Sequence, residues 1–273
     1  MSPSFVSPTT GKIIKKVLTN LDFYLPFRQH APSLDNARRE IYAKVDRFPG
    51  EDGAGFFNVL AFRGVFFGSP FAQSDRYRWF STFEDWKRFQ AEGTEVAERD
   101  GKNGEEEKYY VSRSCYGQAQ IDRSTKLLSV YWDQRNLWSA KFNSTTPSIT
   151  EVHKWLKSTF RNIGKLSALL ICGDLIEAGI LPMPTSNEWG GLIFTLNMGA
   201  KGAMEVLNLT RKQASREEVT EAFTSLDSAL QQELEEEEKA TMNYNVIMLE
   251  HTLCKIKRLT GRGIELKDIL KEI

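Results

Sequence analysis

Hydrophobic positions along the chain recur mostly at the three- and four-residue intervals of a helix, broken by glycine, proline and charged runs. The richest run is FFNVLAFRGVFFG at 56–68, apolar on nearly all sides, which predicts a deeply buried central helix ended by Gly68 and Pro70. GEDGAG at 50–55 is a turn-rich break ahead of it. STFEDWKRFQAEG predicts a capped helix, with Ser81 or Thr82 ahead of Glu84 and Asp85, an apolar face of Phe83, Trp86 and Phe89, and an end or weak point at Gly93. Residues 124–142 carry Leu127, Leu128, Tyr131, Leu137 and Trp138 at helical spacing. Residues 149–164 place Val152, Leu156, Thr159 and Ile163 in one stripe and Lys154, Lys157 and Arg161 in another.

LSALLICGDLIEAGIL predicts another buried helix, which Pro182 and Pro184 separate from the run SNEWGGLIFTLNMGAKGAMEVLNL. Ser215 and Glu218 form a capping-box signature ahead of Val219, Phe223, Leu226 and Leu230, and that helix leads into the acidic run 233–238. A last helix carries Met242, Val246, Leu249, Leu253 and Ile256. Three regions are less regular. Residues 1–18 predict a loose, flexible N-terminal arm with a short basic helix at 12–18. Residues 20–42 predict two short helices interrupted by Pro26 and Pro32. Residues 94–108 predict a charged surface loop. The period of YYVSRSCYGQAQ is ambiguous, leaving room for a small β element near 109–122. No repeat of solenoid length and no alternation of β-rich and helical runs is present, so the expectation is mainly α, with a single helical domain over 19–273.

Composition changes this picture little, and charge narrows it. Lys and Arg total 36, equal to Asp and Glu, which removes the strong overall positive field of a nucleic-acid packaging protein and makes any such contact local. Cys115, Cys172 and Cys254 are odd in number and widely spaced, without metal-ligand spacing to His, which predicts reduced thiols and no zinc. No run approaches the roughly 18 apolar residues of a membrane span, and the N-terminus lacks a signal-peptide pattern. The expectation is a nuclear or cytoplasmic protein with no membrane contact. GxSxG, HExxH, GxGxxG and P-loop patterns are absent, leaving no local case for hydrolase, zinc-protease or nicotinamide chemistry.

Four features could carry chemistry. The bend 199–202, from Gly199 to Gly202, could present backbone N–H groups to an anion, or could be a close-packing turn between helices. Lys154, Lys157 and Arg161 could follow a phosphate backbone, or be a solvated helix face. Asp174 interrupts an apolar run and must be paired, hydrogen-bonded or functional. Glu250, Cys254 and Lys257 share one face of the last helix.

Taken together, three blocks resemble the helical family of DNA thymine hypermodification, which contains alpha-glutamyl/putrescinyl thymine pyrophosphorylases and helical 5-hydroxymethyldeoxyuridine DNA kinases. FFNVLAFRGVF with FEDWKRF is similar through Phe57, Asn58, Arg63 and Trp86. IGKLSALLICGDL with NMGAKGAMEVL is similar through its two glycine-containing turns. The C-terminal block is similar through Glu250, Leu253, Cys254 and Lys257. Leu166 and Lys255 depart from the family pattern. The resemblance implies a helix-hairpin-helix, DNA-glycosylase-like fold and displacement of pyrophosphate from an activated 5-hydroxymethyl pyrimidine by an amine. It further implies DNA with an extruded base and a small amine as partners, and no cofactor. On that reading Asp174, Glu250 and Lys201 are catalytic. Arg63, Lys154, Lys157, Arg161, Gly199, Gly202 and Lys257 hold DNA or phosphate, and Asn58 and Trp86 support the pocket. The alternative is a non-catalytic DNA-binding or protein-interaction module on the same scaffold.

Overall fold

The computed structural model describes residues 7–19, 32–47, 53–99, 106–112, 124–142, 146–160 and 162–271. It is mainly helical, and none of the described residues forms a strand. The chain divides into two compact units, one formed by Met1–His30 with Met183–Ile273 and the other by Ala31–Pro182. Helix α1, Pro8–Thr19, belongs to the first unit. Most of it falls in the segment expected as a flexible arm. It is ordered as a helix because Ile13, Ile14, Val17 and Leu18 form one buried stripe.

In the second unit, α2 (Pro32–Glu40) is held by Asn36, whose Nδ2 donates to the carbonyls of Ala72 and Ser74 at 3.0 Å each. The expected helix before Pro32 lies outside the described residues. The central run forms α3 (Ala54–Ala61), every residue of which is buried. It then widens over Phe62–Phe66 into a π-turn, closed by the Phe67 N–H donating to the Phe62 carbonyl at 2.7 Å. Ser69 caps the short α4 (Pro70–Gln73), accepting from the Ala72 N–H at 3.1 Å. In α5 (Phe83–Arg99), the Thr82 hydroxyl accepts from the Asp85 N–H at 3.1 Å while Asp85 accepts from the Thr82 N–H at 3.2 Å.

The expected break at Gly93 is absent. The helix continues to Arg99, and a Cβ at Gly93 would lie 2.5 Å from the Tyr110 hydroxyl, so the glycine serves the approach of that ring. Consequently 94–99 is helical rather than loop, and α6 (Glu106–Tyr110) occupies the end of the expected loop and the start of the expected β element. Residues 100–105 and 113–123 lie outside the described set. Helices α7 (Leu127–Asp133) and α8 (Leu137–Phe142) replace the one expected helix, divided by a turn at 134–136.

Helices α9 (Ile149–Thr159) and α10 (Lys165–Glu177) complete this unit, α9 starting in a capping box between Ser148 and Glu151. Its core is aromatic. Trp86 meets Tyr110 edge-on at 5.0 Å, and Phe71 meets Phe66 edge-on at 5.1 Å.

The first unit adds α11 (Ser186–Leu196), α12 (Gly199–Val206), α13 (Arg216–Glu233), α14 (Glu236–Thr241), α15 (Val246–Gly261) and α16 (Leu266–Lys271). Capping boxes start α11 at Thr185 and Glu188, and α13 at Ser215 and Glu218. The acidic run does not continue α13: the chain extends at Leu234 and restarts with Glu235 as the N-cap of α14. Asn245 caps α15, accepting from the N–H groups of Ile247 and Met248 at 3.0 Å each. Among the described residues no helix is long and apolar enough to cross a membrane.

Two glycines in the second unit's buried helices have opposite surroundings. A Cβ at Gly64 would lie 2.5 to 2.8 Å from the Tyr131 ring and hydroxyl, whereas one at Gly173 would meet nothing within 4 Å. Gly64→Ala is therefore expected to cost about 1–3 kcal/mol by overpacking, and Gly173→Ala to raise stability by about 0.4–1 kcal/mol through the unfolded chain. Urea midpoints moving in opposite directions check the pair.

Candidate functional site

The most strongly built polar site lies in the second unit. The π-turn carries Arg63 and α10 carries Asp174, and the two form a bidentate pair: Nε donates to Oδ2 at 2.5 Å and Nη2 to Oδ1 at 2.6 Å. Their side chains are 4% and 1% exposed. The guanidinium also sits 4.4 Å from the Phe67 ring centroid and 5.1 Å from that of Phe62. Burial pushes the Asp174 carboxyl up, against the opposing pull of the Arg63 charge and of its hydrogen bonds. Burial, and then the Asp174 charge, likewise push the Tyr42 and Tyr77 phenols well up. At the end of α10, Glu177 receives Arg38 Nε at 2.8 Å and Nη2 at 3.2 Å.

This arrangement orients Asp174 toward a guanidinium and a phenol. A carboxylate so clamped serves as a counter-ion; to act as a base toward an amine it would first have to leave Arg63. Arg63 is committed to the same pair. Asn58 is equally occupied: its Nδ2 donates to the Ala54 and Phe80 carbonyls at 2.8 Å each, and its Oδ1 accepts from the Phe80 N–H at 3.1 Å. It fastens the 77–80 segment onto α3. Trp86 is enclosed by Phe66, Phe80, Phe89 and Tyr110.

In the first unit, α12 packs on α15. A Cβ at Gly199 would collide with Cys254 Sγ, and one at Gly202 would lie 2.9 Å from Lys257 Cε. Both positions are glycine because α15 side chains occupy the space, so the close-packing reading of this turn describes it better than the anion cradle. Lys201 is buried, donating from Nζ to Glu205 Oε1 at 2.8 Å and to the Lys212 carbonyl at 3.2 Å. Glu250 is 1% exposed and accepts from Cys254 Sγ at 2.9 Å, with His251 Nε2 3.5 Å from its other oxygen. Lys257 lays its stem over Gly202 and remains exposed.

The third group is the stripe on α9. Lys154 and Lys157 are exposed, and Arg161 lies outside the described residues. Trp155 is not available beside them as a stacking platform, being packed on Phe56, Phe142 and Phe160.

The structure joins Arg63 to Asp174 in one unit and gathers Gly199, Gly202, Glu250 and Lys257 on α12 and α15 in the other. Sequence reading missed Tyr42 as a buried neighbour that feels the Asp174 charge, and no local pattern would have revealed it. Lys255, noted in the sequence only as a departure from the family pattern, is followed at spacings of three and four by Arg258 on α15 and by Arg262 at its C-cap. There the Lys255 ammonium is disfavoured by partial burial and by the two arginine charges. Among the described residues no three His, Cys, Asp or Glu side chains converge as a metal site. A scan against protein-family models and searches of curated proteins and of solved structures found no match to this chain.

Asp174→Ala would strand the Arg63 cation in the core and is expected to cost about 3–5 kcal/mol, while Arg63→Met combined with Asp174→Leu recovers most of that loss. Equilibrium denaturation of both variants measures it. A loss below about 1 kcal/mol for the single variant would show that the pair does not carry the fold.

Proposed function

We propose that this chain is a DNA-binding helical module, a diverged and non-catalytic relative of the helical thymine-hypermodification enzymes, with a helix-hairpin-helix scaffold. The observation that carries DNA binding is the cationic end of α15, where half-buried Lys255 and exposed Arg258 are followed by exposed Arg262 at the helix C-cap. Phosphate is the ligand that such a cluster of cations attracts. The face leads into a glycine turn at Gly263, φ 86°, and then α16. An open groove of about 460 Å³ lies at this turn, lined by Val206, Thr260, Gly263 and 264–267. A local basic face also accommodates the zero formal net charge.

Loss of catalysis is supported by the engagement of all three catalytic candidates. Asp174 is clamped by Arg63, Lys201 is held by Glu205, and Glu250 accepts from Cys254. A second reading, a DNA base-modifying enzyme that replaces an activated 5-methylene group with an amine, is favoured by the π-turn at Arg63. Such turns are frequent at functional positions.

Binding of duplex DNA, followed by fluorescence anisotropy across a salt series, is expected to weaken steeply with salt. Changing Lys255, Arg258 and Arg262 to Gln should make the log–log slope shallower by about 3. Absence of binding, or a triple variant with an unaltered slope, refutes the assignment. Incubation with DNA containing 5-hydroxymethyluracil or its pyrophosphate, with amines present, separates the two readings by nucleoside mass spectrometry. The module reading expects no new nucleoside and no released base while binding persists.

A further inference from the structure

Phe83 and Trp132, two of the half-buried aromatic side chains of the second unit, form a pair with a distinct surround. Trp86, Phe80, Phe66, Phe71 and Tyr110 are fully buried and meet one another mainly edge-on or tilted. Phe83, at the start of α5, and Trp132, at the end of α7, are only half-buried and lie near-parallel, at 24° with centroids 6.3 Å apart. The next ring inward, Phe57, supports Trp132 from below by edge contact at 5.1 Å. Leaving large aromatic surface in water forgoes stabilisation that the rest of the unit collects.

Each half-buried ring also carries a cation. Arg135 places its guanidinium carbon 4.3 Å from the Trp132 centroid, and Lys87 places Nζ 5.1 Å from that of Phe83. Val130 and Leu137, 41% and 37% exposed, extend the apolar surface on α7 and α8. Two acidic residues temper the charge: Glu84, which pairs with Lys87 at 2.9 Å, and exposed Asp133.

We infer that the ledge formed by Phe83, Trp132, Lys87 and Arg135 is a stacking platform for unpaired bases of single-stranded nucleic acid. Parallel rings offer faces to a planar base, and a guanidinium stacked on tryptophan offers both a flat surface and a charge for the adjoining phosphate. With Glu84 and Asp133 present, stacking supplies more of the affinity than charge does. Single-strand binding here is therefore less salt-dependent than duplex binding at α15. This rests on the nucleic-acid reading above for the class of partner, but on different residues in the other unit, so the two stand or fall separately.

The test uses the full chain with a 20-nucleotide oligothymidylate and a duplex of the same length. Trp132→Leu is expected to weaken single-strand binding about 5- to 150-fold, the range of one lost base stack, with duplex affinity unchanged. Photo-crosslinking to an oligonucleotide carrying 5-iodouracil is expected to label the peptide containing Trp132 or that containing Phe83. Because Trp132 also packs on Phe57, the surface variants Val130→Asp and Lys87→Glu provide an independent measure and should each weaken the single strand. Wild-type single-strand affinity in all three folded variants, or crosslinks confined to other peptides, overturns the platform even if duplex binding at α15 holds. So does sedimentation showing that Trp132 instead mediates self-association. Unaltered duplex binding and salt slope in the α15 triple variant, with oligothymidylate binding lost on Trp132→Leu, removes the α15 assignment and leaves the platform standing.

Discussion

A charge buried with a partner constrains everything packed around it. Arg63 and Asp174 are 111 positions apart in sequence, and their bidentate contact leaves little tolerance in how the π-turn and α10 meet. Neither ion could occupy that interior alone, since the desolvation of an isolated guanidinium or carboxylate far exceeds what nearby packing returns. The π-turn, the apolar surround and the Tyr42 phenol can all be understood as accommodation of this pair. The unit has a large aromatic core for stability, and the ion pair contributes register: it admits one alignment of two otherwise featureless apolar helices.

That view changes the meaning of the polar residues inside both units. Asn58, Lys201 and Glu250 look, as residue types, like the contents of an active site. Each instead satisfies a backbone group or a neighbouring side chain: Asn58 the backbone of Phe80, Lys201 the carbonyl of Lys212, and Glu250 the thiol of Cys254. The groups able to meet a large external ligand lie elsewhere, on the outer face of α15 and on the ledge between α5 and α7. On the proposed reading the division is physically sensible, because a nucleic acid brings its own charge and flat rings and needs surface counterparts rather than a sealed interior.

Much of the fold was legible in the sequence because helix formation is written locally. The Ser215 and Glu218 box, the apolar run at 56–68 and the period of 149–159 each announce a helix within a few residues. Other features depend on distant chain and were not legible. Gly93 looks like a helix breaker until Tyr110 is known to need its space, and the single helix expected over 124–142 divides at 134–136. The candidate site was legible to the extent that Asp174 had to have a partner, but which partner is set by tertiary packing. Gly199 and Gly202 were ambiguous for the same reason: glycine before a ligand and glycine before a helix read alike.

Helices α9, α11 and α13 each open with a reciprocal cap formed inside a four-residue window. These starts need no tertiary contact, so the unfolded chain already samples them, and nucleation of the individual helices is not the slow event in reaching the native state. What remains slow is the search that brings distant partners into register. The kinetic barrier of the second unit then belongs to the docking of preformed segments, and the sites where nascent helices begin are inherited from the denatured ensemble.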